Sequence, residues 1–170
     1  MNSVVMRAIQ EHDLASVCAL NHANIQFTSP MDQPHLLRLL QLACFARVAL
    51  VNETVAGFII AMSEEAPYEN HNFAWFKQRY SNFIYIDRIV IGAAYRKLKL
   101  ATALYSALLE SARSEGKRNV TCEYNLTPLN AASARFHERF GFKEIGCQNT
   151  VVGDKRVSMQ LMDIAGQGTP

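Results

Sequence analysis

The 170-residue chain has little of what marks several protein classes. Its four cysteines, Cys18, Cys44, Cys122 and Cys147, never stand at CxxC spacing, and no histidine lies at ligand spacing from them. That argues against a disulfide scaffold or a zinc ribbon; the expectation is reduced, partly buried thiols and no metal. An excess of charge of one sign is missing too. The formal net charge is +2 with 19% charged residues, so nucleic-acid binding would have to rest on a local basic cluster. No apolar run approaches the length that spans a bilayer, and "MNSVVMRAIQEHDL" lacks a basic segment followed by an apolar one. The expectation is a cytoplasmic protein that engages neither nucleic acid nor membrane. Internal repeats and low-complexity blocks are absent, and only "AGQGTP" (165–170) reads as a flexible tail.

What the chain does have is apolar surface to bury. With 49% hydrophobic residues, 1–164 is enough for one domain with a well-developed core. "SVVMRAI" reads as a first strand, and "EHDLASVCALNHANIQF" carries Leu14, Val17, Cys18, Leu20 and Ile25 near helical spacing. Asp32 is placed to cap a helix starting around Pro34, "PHLLRLLQLACFA". "RVALV", the turn "NET" and "VAGFIIAM" predict a β-hairpin. Residues 63–82 break the rhythm, polar at first and then aromatic, and are long for a plain connection. "FIYIDRIVI" is a continuous β-rich run and reads as a central strand. A helix from about Arg96 to Glu115 follows, striped by Leu100, Leu104, Leu108 and Ala112, with Gly116 ending it. The strand "RNVTCEYN", the helix "TPLNAASARFHERF" closed by Gly141, and a hairpin turning at "GD" complete the order. The fold class is α/β (α+β): a mixed, mostly antiparallel sheet with one parallel strand pair, flanked by helices.

Residues 89–112, "IVIGAAYRKLKLATALYSALLESA", pose a question of electrostatics. The start of a helix is already positive, so Arg96, Lys97 and Lys99 there predict an anionic guest. The first amides of a helix have no internal partners, and phosphates are their usual ligand. The alternative is a solvated basic turn that binds nothing.

That stretch resembles the acetyl-CoA-binding segment of the GNAT N-acetyltransferases. Downstream, "EYNLTPLNAASARFHERFGFKEIG" is similar to their second signature, with Asn130, Ser133, Phe136-His137 and Gly141-Phe142 in its positions. The similarity covers the whole element order and about half the chain by motif. It implies a pyrophosphate loop of the form Arg/Gln-x-x-Gly-x-Gly/Ala on Arg96, Lys97, Leu98, Lys99, Leu100 and Ala101, followed by Thr102. Lys99 stands where the family has glycine, a residue that lets a phosphate approach the amide. The resemblance further implies that Ile89, Val90 and Ile91 pair with the pantetheine arm as an added strand would, and that Asn130 contacts the same arm. Ser133, Phe136 and His137 fall on the helix that flanks the cofactor.

The implied activity is direct transfer of acetyl from acetyl-CoA to a primary amine of a small molecule or amino-acid-like acceptor, through a tetrahedral intermediate. The Ile89 N–H is the implied oxyanion donor. His137 occupies the position of the family's acidic tyrosine, so it is either a proton donor or a packing residue. Asp87 and Glu123 are the candidate bases, each with an ion pair as the alternative, and Tyr85 and Tyr124 are weaker candidates. Phe27, Trp75, Phe76 and Tyr85 are candidate acceptor contacts, or else packing aromatics. Two further readings stay open. One is a catalytically silent acyl-CoA-binding or ligand-sensing module. The other, a homodimer, would use the edge offered by the C-terminal hairpin.

Overall fold

The computed structural model describes residues 3–150 and 154–166. Its elements run β1 (Val4–Ala8), α1 (Leu14–His22), α2 (Gln33–Leu42), β2 (Phe45–Val51), β3 (Thr54–Ser63), α3 (His71–Lys77), β4 (Phe83–Ile91), α4 (Leu100–Ser114), β5 (Asn119–Thr127), α5 (Ala131–Phe140), β6 (Lys143–Asn149) and β7 (Arg156–Asp163). The strands hydrogen-bond in the order β1-β2-β3-β4-β5-β7-β6. β1–β2, β2–β3, β5–β7 and β6–β7 are antiparallel, whereas β4–β5 is parallel. This is the mixed sheet with one parallel pair that the sequence pattern predicts. That parallel pairing is short, running from Phe83↔Asn119 to Tyr85↔Thr121.

The chain divides into two compact units. One holds the segments up to Met62 and Asp87–Glu110; the other holds Ser63–Ile86 and the chain from Ser111 on. In the first unit, Asp32 caps α2 as its sequence predicts, its carboxylate accepting from the His35 amide at 2.8 Å. α2 ends at Leu42 rather than continuing to residue 46, because Ala43 turns to an extended backbone (ψ 132°) and Phe45 begins the next strand. The β2–β3 hairpin turns on two residues, Asn52 (φ 47°) and Glu53 (φ 67°), and Thr54 already belongs to β3. Both φ values are positive, the arrangement whose twist matches that of paired strands. Leu14, Val17, Leu36, Leu39, Val48 and Phe58 are buried here, so the apolar faces of α1 and α2 are the ones turned inward.

In the second unit, the connection 63–82 contains the short helix α3, capped by Asn70, whose oxygen accepts from the amides of Asn72 and Phe73. No sequence period announced it, because seven residues give fewer than two full turns of pattern. Phe73 and Phe76 of α3 bury fully against Phe83 and Tyr85 of β4. Burial of each such ring contributes about 2–3 kcal/mol, which holds an otherwise marginal helix in place. Trp75 lies over Gly146, where an added Cβ would stand 2.7 Å from the indole. α5 begins at Ala131, later than its sequence suggests, since Asn130 is its cap, and Gly141 ends it at φ 104°. The predicted "GD" turn and the tail fall partly on 151–153 and 167–170, which lie outside the described residues. No disulfide joins the four cysteines, and Cys44, expected to be partly buried, is exposed.

Candidate active site

The basic step sits differently from its sequence expectation. Arg96, Lys97 and Leu98 belong to a 3₁₀ turn (Ala93–Leu98), and α4 starts only at Leu100. Between them Lys99 takes the left-handed conformation, φ 56° and ψ 24°. That conformation explains the family's glycine at this position: the backbone needs φ > 0, and here a lysine supplies it at a cost of about 1–2 kcal/mol. The first helical bond of α4 runs from the Ala103 amide to the Lys99 carbonyl at 3.1 Å. The N–H groups of Leu100, Ala101 and Thr102 therefore precede the hydrogen-bonded ladder and form the positive end of the helix. Arg96, Lys97, Leu98 and Lys99 are all exposed, and Arg96 donates to Asn24 Oδ1 at 3.3 Å. Preceding the turn, Gly92 donates to the Ala56 carbonyl, which anchors the end of β4 that carries Ile89, Val90 and Ile91.

Asp87 lies in the same unit in a buried ion pair. Arg88 Nε donates to its Oδ2 at 2.7 Å, and both side chains are almost wholly enclosed. The guanidinium also donates to Asn21 Oδ1, the Ser29 carbonyl and Ser29 Oγ, tying β4 to α1 and to the connection after it. The ion-pair alternative for Asp87 is thus the one that the geometry realises. Phe27, on that connection, is exposed at 37%.

Glu123 on β5 has a different setting. Its Oε1 accepts from the Tyr85 hydroxyl at 2.9 Å and from Asn72 Nδ2 at 2.8 Å. Two candidates from separate strands, Tyr85 and Glu123, are thereby brought into direct contact, joined by a residue from α3. Phe76 is fully buried, and Trp75 is partly exposed beneath the guanidinium of Arg79, 4.2 Å above the ring.

His137 is 3% exposed, stacked on Tyr124 and edge-on to Phe136 and Phe142. Its Nδ1 lies 2.7 Å from the Ser133 carbonyl and 3.1 Å from Ser133 Oγ. A carbonyl only accepts, so Nδ1 carries a hydrogen. Burial pushes the imidazole below its ordinary range, with the Ser133 carbonyl opposing the shift. Asn130 uses its side-chain oxygen to accept from the Ser133 amide at 3.1 Å. Among the described residues no group of three His, Cys, Asp or Glu side chains comes together to hold a metal, and no helix is long and apolar enough to cross a membrane.

The sequence pattern of the acetyltransferase (GNAT) family matches residues 13–142. The chain belongs to the GNAT acetyltransferase family. No curated protein sequence matches it. Among solved structures, this GNAT chain is similar to Ard1 from Thermoplasma volcanium (19% identity, 94% of this chain and 97% of that one, TM-score 0.78). It is also similar to the ribosomal-protein-S18-alanine N-acetyltransferase of Escherichia coli (15% identity, 98% and 97% covered, TM-score 0.72). A third is yncA of Salmonella typhimurium, solved with its cofactor acetyl-CoA (18% identity, 99% and 98% covered, TM-score 0.72). At such identities these likenesses establish the fold. Acetyl-CoA is the cofactor of the GNAT family, and the amides at the start of α4 suit its diphosphate.

Proposed function

We propose that this GNAT protein is an N-acetyltransferase that moves an acetyl group from acetyl-CoA to a primary amine of a small molecule or amino-acid-like acceptor. The observation that carries the reading is the left-handed backbone at Lys99, which keeps the family's loop shape without the family's glycine. The amides of Leu100, Ala101 and Thr102 would hold the diphosphate, with Arg96, Lys97 and Lys99 lending charge. The main chain of Ile89, Val90 and Ile91 would pair with the pantetheine arm, and the Ile89 N–H would meet the developing oxyanion. Asn130, Ser133, Phe136 and His137 would flank the arm, and His137 would donate a proton to the departing thiolate. When bound, acetyl-CoA supplies an acyl carbon activated as a thioester.

Glu123 would accept the proton released by the amine, since it is a carboxylate oriented by two donors, whereas Asp87 is engaged by Arg88. Phe27 and Trp75 would face the acceptor, with Tyr85 orienting the carboxylate and Phe76 supporting the aromatic layer beneath. The reading treats 1–164 as one functional domain acting in the cytoplasm, on a small-molecule amine rather than on nucleic acid or membrane. A homodimer remains part of the proposal.

Thermal melting tests it. Acetyl-CoA at about a hundred times its dissociation constant should stabilise the protein by about 2.7 kcal/mol, with dephospho-CoA and ATP giving less. Release of free thiol with a panel of amines then separates catalysis from binding. A second reading, a silent acyl-CoA-binding module, draws support from Lys99 and His137, which stand where the family has glycine and tyrosine. A full melting shift without thiol release for any amine would select it, and no shift at all would defeat both.

A further inference from the structure

Nothing in the sequence singles out Asn72 or Gln148, yet the second unit joins them to Glu123 in one directional chain of hydrogen bonds. Asn72 is the second residue of α3, and Gln148 lies on β6. Gln148 Nε2 reaches the His71 carbonyl at 3.4 Å and Asn72 Oδ1 at 2.9 Å. Asn72 Nδ2 in turn donates to Glu123 Oε1 at 2.8 Å.

The direction of this chain follows from its starting point. A main-chain carbonyl can only accept, so Gln148 must turn its NH₂ end toward α3. That NH₂ claims the oxygen of Asn72, which leaves the Asn72 NH₂ facing the carboxylate. Tyr85 O–H donates to the same oxygen at 2.9 Å. A carboxylate oxygen has two lone-pair positions, and both on Oε1 are then engaged. The carriers are rigid: Asn70 caps α3, Phe73 and Phe76 are buried, and Trp75 packs over Gly146, two residues before Gln148.

We propose that Gln148 and Asn72 form a positioning relay that orients the Glu123 carboxylate for its role as the base. The proton leaves the acceptor nitrogen for the carboxylate while the electron pair stays on nitrogen, which balances the step. The inference rests on the reading of Glu123 as the base. It makes Asn72 and Gln148 positioning residues, since each acts through Glu123.

The test uses the full chain with Gln148→Glu, Asn72→Asp, Asn72→Ala and Glu123→Gln. Melting temperatures report folding. Side-chain amide resonances in ¹⁵N-labelled protein report the relay, and thiol release from acetyl-CoA with lysine, phenylalanine amide, spermidine and an alanine-initiated peptide reports catalysis. Gln148→Glu replaces a donor by an acceptor, so Asn72 should reverse, with displaced Nδ2 proton resonances. The turnover number should fall about 10- to 100-fold, with the KM for acetyl-CoA unchanged. Asn72→Asp should lower turnover at least as much as Asn72→Ala, and Gln148→Glu should add nothing in the Asn72→Ala background. Unmoved Asn72 resonances in Gln148→Glu would overturn the relay whatever the activity. Full turnover in Asn72→Asp with a dead Glu123→Gln would overturn the relay and leave the base in place. Full turnover in Glu123→Gln would overturn both.

Discussion

Replacing Lys99 offers a test in which strain and charge separate. The residue sits at φ 56° and ψ 24°, and its side chain is exposed. A β-carbon in that region costs about 1–2 kcal/mol, and glycine carries no such cost. Against this, glycine raises the entropy of the unfolded chain by an equivalent of about 0.4–1 kcal/mol. The net expectation for Lys99→Gly is stabilisation by about 1 kcal/mol, or about 2–4 °C in melting temperature for a chain of this size. Lys99→Ala is the control, because it deletes the ammonium and keeps the β-carbon. Removing a cation beside the start of a helix contributes about 0.3–1 kcal/mol at low salt, in both variants alike. The Gly-minus-Ala difference in high salt therefore isolates the backbone. Melting followed by circular dichroism measures it, and equal melting temperatures for the two variants would refute the strain argument. Affinity should move the other way: both variants are expected to bind acetyl-CoA up to about fivefold more weakly, the strength of an exposed charge contact.

Gly57→Ala should destabilise by about 1–3 kcal/mol, because its Cβ would stand 2.6 Å from Ile91 Cδ1 and 2.9 Å from the Val90 carbonyl oxygen, and the main chain cannot yield; urea unfolding reads this directly. Asp32→Ala should cost about 1 kcal/mol by removing the cap of α2, visible as a lower denaturant midpoint without a change in slope. His137 predicts a pH effect. Its folded pKa is depressed by burial from 6.5, so the unfolded chain takes up a proton that the buried ring refuses. Its contribution to stability is complete above about pH 6.5 and is lost as pH falls from there through the folded value. His137→Phe should remove that part of the slope between pH 7 and pH 5.5, as measured by urea midpoints at each pH.

The fates of the candidate residues follow the range of the forces that decide them. Leu100, Leu104, Leu108 and Ala112 were legible as a buried stripe because helical period alone sorts them, and all four are buried. Asp32 was legible as a cap because its partner lies three residues away. His137 was legible as a family position but not as a buried ring whose Nδ1 is held by a carbonyl one helical turn back. Asp87 and Glu123 look alike in sequence, two strand carboxylates beside aromatic or basic neighbours. They differ in that Arg88 claims the first, while Tyr85 and Asn72 orient the second.

The sequence by itself determined the order of elements, the parallel β4–β5 connection, the family and the basic turn ahead of α4. These rest on periodicity, turn residues and motif spacing, which act over a few positions at a time. Only the tertiary structure decided that Lys99 adopts the conformation of a glycine, that α3 exists, that Gln148 meets Asn72 and that Asn72 meets Glu123. Those contacts join residues 51 and 76 positions apart, and a hydrogen bond over such a separation leaves no local pattern to read.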